Sequence, residues 1–141
     1  MDILKLNNQI CFPLYALSRQ ITAVYRPLLS EIGLTYPQYL VMMLLWENEK
    51  LTIKEIGEQL LLDTGTLTPL LKRMEQKKLL SRTRSTEDER IVQVKLTVEG
   101  LKMKGAAAEI PTQMLCGLDM DQADADQLKA LINKFLKKIN Q

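Results

Sequence analysis

Apolar residues at Ile10, Leu14, Leu17, Ile21, Val24 and Leu28 recur in steps of four and three, which predicts a long amphipathic helix with a narrow apolar seam. A seam that narrow wants a partner helix. Pro13 belongs near the helix start or at a kinked early turn, because deeper in the helix it removes a hydrogen bond, and this puts Cys11 close to the positive end. Thr35-Tyr36-Pro37-Gln38 opens a second helix, with Thr35 as cap, Gln38 answering as in a capping box, and Pro37 tolerated in the first turn. Its apolar run from Tyr39 to Trp46 is far too short for a membrane and reads as the core helix.

Thr52-Ile53-Lys54-Glu55 repeats the capping signal and starts a short helix that ends near Leu60. After a tight connection through Leu61-Leu62-Asp63-Thr64-Gly65, the stretch Thr66-Leu67-Thr68-Pro69 opens another, with Leu67, Leu70, Leu71 and Met74 on its buried side. Two short helices so joined, the second beginning with small hydroxyl residues, make a helix-turn-helix pattern. The period then changes to two. Leu80 to Arg84 and Ile91 to Thr97 read as strands, the second with Val92, Val94 and Leu96 on alternate positions, and Ser85 to Glu89 joins them as a hairpin. Thr97 caps a further helix carrying Leu101, which Ile110-Pro111 interrupts or bends, leaving Cys116 in the region linking the last two helices. The final helix starts among Asp119 and Asp121 and runs through Leu128, Leu131, Ile132, Phe135, Leu136 and Ile139 to Lys137 and Lys138 at its negative end.

Composition narrows the chemistry. The 141 residues hold 19 Lys+Arg, 17 Asp+Glu and no His, for a net charge of +2. Without an imidazole, Ser-His-Asp and Cys-His catalysis are excluded, and two cysteines alone exclude the common structural zinc patterns. Those cysteines, Cys11 and Cys116, do not form a secreted disulfide framework. No signal peptide or membrane span is apparent, so the expected setting is cytoplasmic with reduced thiols, and no membrane partner or cofactor is expected. Asp119, Asp121, Asp124 and Asp126 lack the loop glycine and final glutamate of a calcium-binding EF-hand and read as helix-starting acids.

Charge is unevenly placed. From Thr66 to Thr86 the chain carries Lys72, Arg73, Lys77, Lys78, Arg82 and Arg84 against Glu75 alone, a net of +5 that leaves −3 for the rest. Such a patch on a helix-plus-hairpin unit either solvates a helix face or binds phosphate. Its context favours double-stranded DNA: Thr64, Gly65, Thr66 and Thr68 begin a helix suited to the major groove, Lys72 and Arg73 follow a turn later, and Arg82, Arg84 and Arg90 lie on the hairpin beside it.

With Asp88-Glu89-Arg90 followed by Val92, Val94, Leu96 and Thr97, the chain resembles the MarR family of winged helix-turn-helix regulators over almost its whole length. The resemblance implies a mainly α fold with a small β-hairpin wing. In this single domain, about 1–34 and 98–141 are dimerisation helices and about 35–97 form the DNA-binding region. It also implies that Arg90 enters the minor groove, held by Asp88, and that a homodimer reads a pseudo-palindromic operator with half-sites about one helical turn apart.

A second stripe on the first helix, Cys11, Tyr15, Ser18, Thr22 and Tyr25, lines up a thiol with two phenols. Phenol donors and a helix N-terminus favour a reactive thiolate, whereas a buried cysteine is an inert packing group; spacing alone leaves both open. The segments Asn8 to Tyr15, Leu34 to Leu40, Gly65 to Lys72 and Glu87 to Arg90, with Tyr25, resemble the OhrR branch of the family, the organic hydroperoxide sensors. That resemblance implies a repressor, not an enzyme, in which Cys11 reacts with the hydroperoxide and Tyr15, Tyr25 and Tyr36 form its hydrogen-bond network, partly from the other subunit. Cys116 then either resolves the oxidised Cys11 or is a bystander while a small thiol does so. Two other readings stand beside this one: a regulator gated by a phenolic or lipophilic ligand, and a thiol peroxidase using Cys11, which the scarcity of strands disfavours.

Overall fold

The computed structural model describes residues 2–141. A 3-10 turn at Leu6–Asn8 precedes α1 (Cys11–Ser30), and α2 spans Tyr36–Asn48. Between them Gly33 adopts φ 73°, a conformation a side chain resists, and the Gly33 and Leu34 N–H groups donate back to the Ser30 and Leu29 carbonyls. The capping box on α2 is complete: Thr35 Oγ1 accepts from the Gln38 N–H, and Gln38 Oε1 accepts from the Thr35 N–H at 3.1 Å.

Next come β1 (Lys50–Thr52), α3 (Ile53–Leu60), α4 (Thr64–Gln76), β2 (Leu80–Arg84) and β3 (Val92–Leu96). The antiparallel sheet has the order β1-β3-β2, with Leu51 and Arg82 both opposite Val94. The expected hairpin is thus two strands of a three-stranded sheet. Three residues of β1 are too few to show an alternation, which is why the sequence pattern missed it. The α3–α4 connection is also shorter than expected, because Thr64 and Gly65 already lie in the first turn of α4, after the N-cap Asp63.

Thr97 caps α5 (Val98–Ala107), which is followed by α6 (Ile110–Gly117) and α7 (Gln122–Ile139). Cys116 therefore sits in the last turn of a separate helix and not in a linker. Pro111 needs no N–H in a first turn, so it starts α6 instead of merely bending α5.

The chain forms two units, Leu28–Ala108 and a second comprising the residues to Pro27 with Glu109–Gln141. In the first, Val41, Met42, Leu45, Ile56, Leu67, Leu71 and Val94 are fully buried. Trp46 Nε1 donates to the Gly100 carbonyl at 2.8 Å, and a Cβ on Gly100 would meet the Leu79 carbonyl oxygen at 2.2 Å, so glycine is what lets α5 approach. The second unit buries Ile110 and Met114, and Gly117 makes room for Val24 of α1. It also exposes Ile10, Phe12, Leu14, Leu131, Phe135 and Ile139, and α7 buries no residue at all. Among the described residues no helix is long and apolar enough to cross a membrane.

Candidate nucleic-acid interface and thiol site

In the Leu28–Ala108 unit an open cleft of about 810 Å³ lies between the helix-turn-helix and the sheet, lined by Thr52, Lys54, Thr64, Thr68, Arg82, Arg84, Asp88 and Arg90 among others. Leu67, Leu70, Leu71 and Met74 anchor α4 in the core, which leaves Thr64, Gly65, Thr66, Lys72 and Arg73 exposed and Thr68 half-buried. Asp63, at the N-cap position, accepts the Thr66 hydroxyl at 2.5 Å, and that hydrogen bond chiefly holds its carboxyl below the usual range.

Opposite α4, the hairpin tip is locked by a fork of charge-assisted hydrogen bonds. Arg90 donates from Nε to Asp88 Oδ1 at 3.1 Å and from a terminal nitrogen to Oδ2 at 3.2 Å, and its N–H donates to Oδ1 at 3.0 Å. These bonds depress the Asp88 carboxyl. The Arg90 side chain remains 90% exposed, so the clasp orients a guanidinium that is still open to a partner. Arg84 is turned toward the loop, donating to the Glu89 carbonyl at 2.8 Å.

Besides Arg84, two further cations of the basic segment have partners within the fold. Arg82 pairs with Glu75 at 3.1 Å, and the same carboxylate accepts the Arg82 N–H, which ties β2 to α4 and holds the Glu75 carboxyl low. Lys77 donates to the Gly33 carbonyl at 2.8 Å and to Gln38 Oε1 at 3.2 Å. Conversely, Lys54 lines the cleft and was not among the expected contacts. Its signal was the cap at Thr52, which accepts the Glu55 N–H and sets Lys54 in the first turn of α3.

The thiol stripe belongs to the other unit. Cys11 is the first residue of α1 and, within the single chain, a free and exposed cysteine. One turn on, Tyr15 is exposed and the Arg19 guanidinium lies 4.6 Å from its ring centroid. Thr22 is turned back onto the helix, its hydroxyl donating to the Ser18 and Arg19 carbonyls, and Tyr25 is half-buried. Cys116 is a free, exposed thiol in a pocket of about 560 Å³ with Pro111, Leu115, Asp119 and Asp121. Tyr36 is on α2 in the first unit, its ring 6.4 Å from that of Tyr39; burial pushes its phenol up, so it stays a protonated donor at neutral pH. No group of acidic or cysteine side chains among the described residues could hold a metal ion.

Residues 23–106 match the family model described as transcriptional regulator SarA/Rot. The chain is 51% identical over 140 residues to the organic hydroperoxide resistance transcriptional regulator of Bacillus subtilis, covering 99% of this chain and 95% of that one. This chain belongs to the MarR family of winged-helix transcription regulators. Reduced AbfR bound to DNA superposes with a TM-score of 0.82 at 34% identity, covering 96% of this chain and 92% of that one. AbfR of Staphylococcus epidermidis is also known in a disulfide form, with a TM-score of 0.66 at 35% identity, covering 96% and 90%. As a MarR-family protein the chain is a DNA-binding regulator, and the cleft between α4 and the hairpin is where its exposed hydroxyls and cations converge.

Proposed function

We propose that this regulator is a cytoplasmic, non-enzymatic repressor that binds its operator as a homodimer and releases it when an organic hydroperoxide oxidises Cys11. Thr64, Gly65, Thr66 and Thr68 enter the major groove, Lys72 and Arg73 meet phosphates, and Arg82 and Arg84 support the wing. Asp88 presents Arg90 to the minor groove. The exposed apolar faces of α1 and α7 are the surfaces that pair two copies.

The observation that carries the sensing role is Cys11 itself, exposed at the first position of α1 with Tyr15 one turn on, in a chain half identical to a hydroperoxide resistance regulator. Its thiolate attacks a peroxide oxygen. The S–O bond forms as the O–O bond breaks, and the departing alkoxide takes a proton to leave as an alcohol, giving a sulfenic acid. A second thiol then displaces water to form a disulfide. The exposure of Cys116 and the disulfide form known for AbfR favour Cys116 in this step, and a small thiol is the other candidate. Rearrangement among Tyr15, Tyr25 and Tyr36 shifts the reading elements away from the operator spacing.

Fluorescence anisotropy on operator DNA, before and after stoichiometric cumene hydroperoxide, tests this. Tight binding by the reduced protein, lost on oxidation in the parent and kept in Cys11→Ser, is the expected result. Release that persists in Cys11→Ser overturns the thiol sensor; binding indifferent to peroxide points instead to a phenolic or lipophilic ligand. A dimer-sized band on nonreducing electrophoresis that needs both cysteines identifies Cys116 as the resolving thiol.

A further inference from the structure

Lys77 belongs by sequence to the basic segment, but it does not line the cleft, and its exposed side chain reaches back to the start of α2. It is the C-cap of α4 and donates to the Gly33 carbonyl at 2.8 Å and to Gln38 Oε1 at 3.2 Å. Gln38 is 3% exposed, and its Oε1 also completes the capping box of α2 by accepting the Thr35 N–H. One cation therefore joins three things: the turn before α2, the first turn of α2 that carries Tyr36, and the C-terminal end of the helix that reads DNA.

The far end of α4, at Thr64, lies thirteen residues away, about 20 Å along the helix. Lys77 is not among the residues lining the cleft. The next residue, Lys78, turns the chain into β2 with φ 64°, and its carbonyl accepts the Thr97 hydroxyl at 2.7 Å. The corner between α4 and the wing is thus pinned on one side by the start of α2 and on the other by the cap of α5. A displacement of the first turn of α2 moves Gln38 Oε1 and the Gly33 carbonyl together. It then either draws the Lys77 ammonium, and the end of α4 with it, or breaks both hydrogen bonds and leaves the buried Gln38 Oε1 with one donor fewer.

We propose that Lys77 is a positioning residue that couples the Tyr36 end of α2 to the recognition helix, and that it is not a phosphate contact. The coupling rests on the peroxide-sensing reading above, whereas the absence of a phosphate contact does not. Two variants separate the roles: Lys77→Met removes the ammonium but keeps the stem, and Lys77→Arg keeps the charge and donors. Operator affinity is measured for reduced and peroxide-treated protein across a salt series, with circular dichroism to establish that each variant is folded.

The expected result is that Lys77→Met narrows the ratio of reduced to oxidised affinity by roughly fivefold or more. Its salt slope should match the parent's, and Lys77→Arg should restore most of the ratio. Loss of about 0.9 from the slope identifies a phosphate contact and overturns the proposal. A parental ratio in folded Lys77→Met overturns the coupling alone. A parent whose affinity ignores peroxide overturns the sensing reading and the coupling with it, while the slope still decides on the phosphate. Should Lys77→Met fail to fold, Gln38→Met removes the acceptor and leaves the Lys77 charge; it should narrow the ratio in the same way, and a parental ratio there is equally fatal.

Discussion

Leu45, Leu67 and Leu71 of the Leu28–Ala108 unit are 0% exposed, whereas Leu131 and Phe135 of α7 are 52% and 51% exposed, although both sets follow helical periods of three and four. The period tells which face of a helix is apolar. It does not tell whether the partner of that face lies in the same chain. The DNA-reading unit closes its core with its own side chains and satisfies its helix starts with its own caps at Thr35, Thr52 and Thr97. The arm unit leaves its apolar stripes facing outward, and under the pairing proposed above its stability should depend on the concentration of a second copy.

The largest effects therefore belong to the reading unit. Leu71→Ala should destabilise it by about 2–5 kcal/mol, since a fully buried side chain leaves a cavity the surroundings only partly fill. Gly100→Ala should be similar, at about 2–4 kcal/mol, because the added methyl meets the Leu79 carbonyl and pushes away Gly100, whose own carbonyl accepts from Trp46. Denaturant melts at several protein concentrations check both. A loss below about 1 kcal/mol for either variant contradicts a self-sufficient core.

A change on α7 should act differently. Leu131→Lys puts a charge on a half-exposed position of a helix that has no fully buried residue, so the intrinsic fold is expected to survive while dimers dissociate. Operator affinity should then fall on the order of 100-fold, as each half-site is held without the avidity of its pair. Sedimentation equilibrium at micromolar protein is the direct test, and an unchanged dimer places the interface elsewhere.

What could be read from the sequence follows the same division. The caps, the α3–α4 pair and the hairpin were legible because each rests on contacts between residues close in the chain, whereas the Asp88–Arg90 clasp was implied by the family resemblance. The long-range features were not. Strand β1 depends on its pairing with β3, Gly100 on the approach of α5 to Leu79, and the role of Lys77 on a glutamine thirty-nine residues away. Charge counting placed Lys77 and Arg82 in one basic segment, because a sum of charges cannot register that Gln38 and Glu75 already face them. Helix α6 failed for a local reason, in that a proline in a first turn and a proline that breaks a helix look alike without the preceding residues' conformation.

The smallest effect concerns the hairpin tip and isolates what the reading unit supplies by itself. Arg90, chiefly through its side-chain hydrogen bonds and then through its N–H, holds the Asp88 carboxyl below the ordinary carboxylate value. A depressed value in the folded state means that the clasp is fully formed above the unfolded value of about 3.9 and is lost as pH falls through the lower folded one. Between pH 8 and pH 5 the tip should therefore keep its geometry, and any change in operator affinity over that interval must arise from other groups. Carbon-detected NMR of the Asp88 carboxyl in the free protein measures this directly, and titration at or above the ordinary value would falsify the clasp. Asp88→Asn keeps one acceptor oxygen but loses the charge and the second arm of the fork, so it should weaken operator binding less than Arg90→Ala, which removes the exposed guanidinium itself and should cost about 1–3 kcal/mol. Equal losses from the two variants would mean that Arg90 reaches DNA only when Asp88 is charged, making the clasp a condition for wing binding instead of an aid to it.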